Sequence, residues 1–124
     1  MAWMRLEIEV WLRGNDFATT DTVDVPIQPA DAWTDEDVRV LLAELLRSID
    51  RAKHPDAAPD RPVALRGFSW IVMPYDGGGY TVAVEIQLGA SAAGPFQIEQ
   101  AGLEQMIARV VGIEREAAGR PTVH

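Results

Sequence analysis

Hydrophobic and polar positions alternate most strictly near the start of the chain. Met4, Leu6, Ile8, Val10 and Leu12 occupy one phase, and Trp3, Arg5, Glu7, Glu9, Trp11 and Arg13 the other. A period of two is the mark of a strand with one face in a core. The stretch 66–88, RGFSWIVMPYDGGGYTVAVEIQL, places two further strand-like runs around a glycine turn and predicts a β-hairpin. Closing the turn at residues 76–79 sets Tyr75 opposite Tyr80, Met73 opposite Val82, Ile71 opposite Val84, Ser69 opposite Ile86 and Gly67 opposite Leu88. On that register Tyr80, Val82, Val84, Ile86 and Leu88 face the core, and Thr81, Ala83, Glu85 and Gln87 face away. The first hairpin strand is apolar in both phases: its outward set is Phe68, Trp70 and Val72. A slip of a single residue exchanges the two sets.

Weaker patterns fill in the rest. Residues 17–27, with Val23, Val25 and Ile27 in phase, predict a strand whose Asp21, Asp24 and Pro26 suit the edge of a sheet. Thr34 followed by three acids predicts a capped helix start. Val38, Leu41, Leu42, Leu45, Ile49 and Ala52 continue at helical spacing, with Arg39, Glu44, Arg47, Asp50 and Arg51 on the wet side. Arg51 and Lys53 suit the negative end of the helix, and Pro55 forbids continuation. Residues 54–62 and 89–94 predict loops. A second helix starts at Glu99, with Ile98 able to staple onto Leu103, buries Leu103, Met106, Ile107, Val110 and Val111, and ends near Gly112. The expected fold is α+β: a two-layer, four-stranded, mainly antiparallel sheet in the order ββαββα, with two helices packed on one face. Residues 1–113 form the single domain and 114–124 a flexible tail.

Composition narrows the setting. With 124 residues the chain is one domain, and 48% hydrophobic residues suffice for a core. The net charge of −8 argues against nucleic acid, whose phosphates need clustered Lys and Arg. Cysteine is absent, which rules out disulfides and thiolate chemistry. Charges at Arg5, Glu7 and Glu9 interrupt any secretory leader, and no apolar run approaches the length of a membrane span. A cytoplasmic protein with no membrane and no nucleic-acid partner is expected.

With two helices covering one side, the other is expected to carry Trp3, Trp11, Phe68, Trp70 and Val72, interspersed with Arg5, Glu7, Glu9, Arg66 and Glu85. An aromatic side chain buries about 150–250 Å², worth about 4–6 kcal/mol at ~25 cal/mol per Å². So much apolar surface calls for a cover. Three covers compete: a second copy in a symmetric homodimer, a ligand held in a concave site, or the chain's own tail or loops.

Catalytic signals are thin. His54, the only internal histidine, sits at a helix end where a cation suits the dipole. There is no Cys, His pair or calcium-type Asp loop, so no metal and no cofactor are expected. Asp76 and its glycines lead into a strand, which makes them a turn and not a phosphate cradle. Glu7, Glu9 and Glu85 beside Trp11 and Trp70 form the one enzyme-like grouping, since apolar surroundings raise a carboxyl pKa; no residue is assigned as catalytic. Asp16, Asp21, Asp24, Asp31, Asp35, Glu36 and Asp37 run without a basic residue before Arg39 and would suit a basic protein partner. The leading expectation is a small acidic binding module that self-associates through the aromatic sheet face. A small-molecule pocket or enzyme using the sheet carboxylates is the alternative, and an inhibitor-like protein docking on a basic partner the third.

Overall fold

The computed structural model describes residues 2–56 and 63–119, with side chains as far as 113. Strand β1 (Met4–Leu12) is followed by β2 (Thr19–Val25), a 3-10 turn at Ala30–Ala32 and helix α1 (Asp35–Lys53). Then come β3 (Ser69–Pro74), β4 (Tyr80–Ile86), β5 (Gly89–Phe96) and helix α2 (Gln100–Gly119). All strand pairs are antiparallel, in the order β2-β1-β5-β4-β3. The α+β antiparallel sheet with two helices is therefore as expected, but it has five strands and the order ββαβββα.

The added strand is the stretch 89–94 that its small residues mark as a loop. Its sequence, GASAAGPF, has little strand propensity, yet β5 lies at the centre of the sheet. Its small side chains admit close neighbours. Ser91 is fully buried and donates its hydroxyl to the Leu45 carbonyl of α1 at 2.7 Å. A Cβ on Gly89 would lie 2.0 Å from the Trp11 carbonyl oxygen. At Gly94 the register against β4 shifts, with φ at +137° and Thr81 so near that a Cβ would be 2.9 Å from its Cα.

Helix α1 begins as expected. Thr34 and Asp37 form a reciprocal capping box, with the Thr34 amide donating to Asp37 at 2.9 Å. Val38, Leu41, Leu42, Leu45 and Ile49 are buried, together with Leu103, Ile107, Val110 and Val111 of α2. They close over Leu6, Ile8, Val10, Val82 and Val84 of the sheet. Helix α2 runs past Gly112 to Gly119, so residues 113–119 are helix where a fading tail was expected; residues 120–124, and most of the predicted loop 54–62, lie outside the described residues.

The hairpin corrects the expected register. Ile71 pairs with Ala83, not Val84, and Val72 pairs with Val82. One row across the sheet reads Asp21, Ile8, Ala93, Val82, Val72; the next reads Thr19, Val10, Ser91, Val84, Trp70. Val72 is buried, and Phe68 and Trp70 pack partly buried on the same core. These three belong to the helix-covered side, and Ile71 and Met73 are exposed on the other. Both phases of β3 are apolar, so either could serve as the core set. The turn decides, with the Tyr75 amide bonded to the Gly79 carbonyl and Gly78 and Gly79 at positive φ.

Candidate interaction surface

The side of the sheet away from the helices is built from the odd-numbered phase of β1. Arg5, Glu7, Glu9 and Trp11 are all exposed, Trp11 at 42%; Trp3, just before the strand, is at 62%. Across the sheet the middle row on this side is Thr20, Glu9, Ala92, Ala83, Ile71, and the next is Trp11, Ala90, Glu85, Ser69. Alanines in β4 and β5 therefore floor a trough. One wall is Glu7, Glu9 and Trp11; the other is Met73, Pro74 and Tyr75 from β3 and its turn. The trough encloses about 490 Å³. A second open groove, about 710 Å³, lies where β5 turns away from β1, between Arg5, Glu7, Asp31 and Gln97.

Of the expected face residues, the structure brings Trp3, Trp11, Arg5, Glu7, Glu9 and Glu85 to this side. It removes Phe68, Trp70 and Val72 to the core, and leaves Arg66 exposed before β3, outside the sheet. Sequence reasoning missed Ile71, Met73 and Tyr75, exposed at 54%, 37% and 53%. Their signal was present: it is the alternate phase of the same strand. The apolar character of the surface therefore survives with a different composition, Trp11 on one side of the trough and three β3-side residues on the other.

Its charges are mostly paired. Arg5 reaches Asp24 at 3.2 Å and Arg13 reaches Glu85 at 3.7 Å, both well exposed. Glu7 and Glu9 have no hydrogen-bond or ion-pair partner among the described residues. Both are exposed and neither is held in place, so no group on this side is oriented as a general acid or base. Among the described residues no three His, Asp or Glu side chains are placed to hold a metal ion, and no helix is long and apolar enough to cross a membrane.

The acidic stretch is engaged within the chain. Asp21, on the core-facing side of β2, receives Arg51 of α1 at 2.5 Å. Arg51 also reaches Glu44 and Ser48, and Arg47 reaches Glu44 at 2.5 Å. Glu44, expected on the wet face, is consequently buried beneath the two guanidiniums. Burial opposes the charge on Arg51, but its bonds to Asp21 and Glu44 prevail and raise its pKa. A bidentate bond from Arg109 ties α2 to α1 at Asp35 and holds that carboxyl below its usual pKa. Arg39 does the same to Glu36, and Asp37 is used in the cap. Only Asp16 and Asp31 of the seven acids lack such a contact among the described residues, which leaves little free anionic surface for a basic protein.

Comparison with protein-family models, curated proteins and solved structures finds no match to this chain.

Proposed function

We propose that the protein is a non-enzymatic binding module that self-associates, with the helix-free side of the sheet as its contact surface. The observation that carries this reading is the gathering of Trp11, Ile71, Met73 and Tyr75 on that side, all exposed, while a complete core lies on the other. Scattered apolar side chains need no explanation, but a grouped set around a small-residue trough is the composition of a protein contact. The surface carries both signs of charge already paired, so two copies can approach without a net like-charge penalty at Arg5–Asp24 and Arg13–Glu85.

Light scattering over a range of concentrations tests the reading. The parent is expected to exceed the monomer mass of 13.6 kDa, and at least one of Trp11→Glu and Ile71→Glu to return it to that mass. A monomeric parent overturns the proposal, as does a larger mass that neither variant lowers.

A second reading is favoured by Glu7 and Glu9 standing without a cation beside Trp11: a small cationic molecule in the trough. Thermal shift with a panel of amines, monitored by tryptophan fluorescence, separates the two. A ligand that raises Tm without changing mass supports the trough.

A further inference from the structure

The sheet ends differently at its two margins. At the β2 margin Asp21 and Asp24 engage Arg51 and Arg5, and Pro26 closes the strand. Charge and proline at a margin discourage another strand from joining. The β3 margin has no such guard. From Phe68 to Tyr75 the chain carries no charged residue, and β3 is the last strand in the sheet.

The backbone of β3 can be oriented residue by residue. The Tyr75 amide donates to Gly79, so in the alternating antiparallel ladder Ser69, Ile71 and Met73 direct their N–H and C=O groups to β4. Phe68, Trp70, Val72 and Pro74 direct theirs outward. Pro74, the one residue without an N–H, thus stands at an outward position and costs the β3–β4 ladder nothing.

We propose that β3 pairs antiparallel with β3 of a second copy, about a two-fold axis at Ile71, joining two sheets into one of ten strands. This rests on the self-association proposed above and names the elements that perform it. Two conditions select the register. Side chains must keep to the same side of both sheets, which requires that the axis pass through a residue. Outward groups must also meet outward groups. An axis at Ile71 sets Trp70 opposite the partner's Val72 and Phe68 opposite the partner's Pro74. That gives about six backbone hydrogen bonds between copies, against about four for an axis at Val72, where Pro74 meets Trp70. Ile71 then faces its own counterpart in a close, non-hydrogen-bonded pair, with Cα atoms ~4.5 Å apart. An exposed isoleucine on the surface becomes an apolar contact at the centre of the dimer, and no like charges are opposed. The partner is a second copy because the strand is complementary to itself in both hydrogen bonding and charge.

The absence of cysteine makes the test direct. Ile71→Cys places two thiols within the ~4.4–6.8 Å Cα separation that a disulfide requires. Met73→Cys, on the same side of the same strand, faces the partner's Ser69, and its own counterpart is ~13 Å away. Mild oxidation is expected to convert Ile71→Cys to a dimer on non-reducing gels at least tenfold faster than Met73→Cys, and Ile71→Lys to be monomeric. Both substitutions fall on exposed positions, and circular dichroism melts confirm that each variant folds. Equal rates for the two cysteines, or no cross-link in a parent shown to be dimeric, overturn the edge pairing. If Trp11→Glu alone then lowers the mass, copies meet over the trough and the self-association reading stands without this inference. A parent that is monomeric throughout overturns both. An Ile71→Cys protein that stays reduced while the parent is dimeric also allows residues 57–62 or another strand as the occupant of the edge.

Discussion

The two outer strands of the sheet use opposite means to end it. Strand β2 is polar on both sides, and its inward Asp21 is tied down by Arg51 across the top of the core. Strand β3 is apolar on both sides, and its inward Val72 is held by packing alone. An edge strand attached by charge advertises its solvent boundary. One attached by packing leaves its outer half equally apolar, and the boundary is not written in its side chains. The lesson is that closing a core and ending a sheet are separate problems, and this chain solves the second explicitly at only one margin.

The largest expected effect breaks the comparison at β3. Val72→Ala removes buried methyl groups in the row with Val82 and Ile8, and should cost about 2 kcal/mol in urea unfolding. On the register expected from alternation alone that substitution would be nearly silent. At the β2 margin, Arg51→Ala deprives Glu44 and Asp21 of a shared cation. The pair is only partly buried, so about 1–2 kcal/mol is expected. A loss that disappears in high salt would show that the contact is a surface pair after all. Ile71→Ala should cost under about 0.5 kcal/mol in the monomer, because that side chain is 54% exposed. Comparing it with Val72→Ala in one melt series reads the strand's phase directly. Smallest of all, Asp24→Asn unpairs Arg5 at a fully wet position and should stay within about 0.5 kcal/mol of the parent.

Most of the fold was legible along the chain, for a reason that differs by element. In β1 one phase is polar, so alternation points to the core without ambiguity. In α1 the Thr34 cap and the apolar stripe agree. Burial of Glu44 was not legible, because it depends on Arg47 and Arg51 closing over it and on Asp21 arriving from β2. Nor was β5. Gly89, Ser91 and Gly94 read as a loop because their value lies in what comes near them, a carbonyl of Trp11, one of Leu45 and the backbone of Thr81. The contact surface was half legible: Trp3, Trp11, Glu7 and Glu9 follow from β1, while Phe68, Trp70 and Val72 were assigned to the wrong side.

By itself the sequence determined which segments are amphipathic and where the helices begin, since propensity, capping and period are local properties. Tertiary structure decided the phase of β3, the strand status of residues 89–96 and the pairing of the acids. Each of these compares two locally acceptable arrangements. Only contacts between distant parts of the chain, the glycine turn against its strands and α1 against β5, separate their energies.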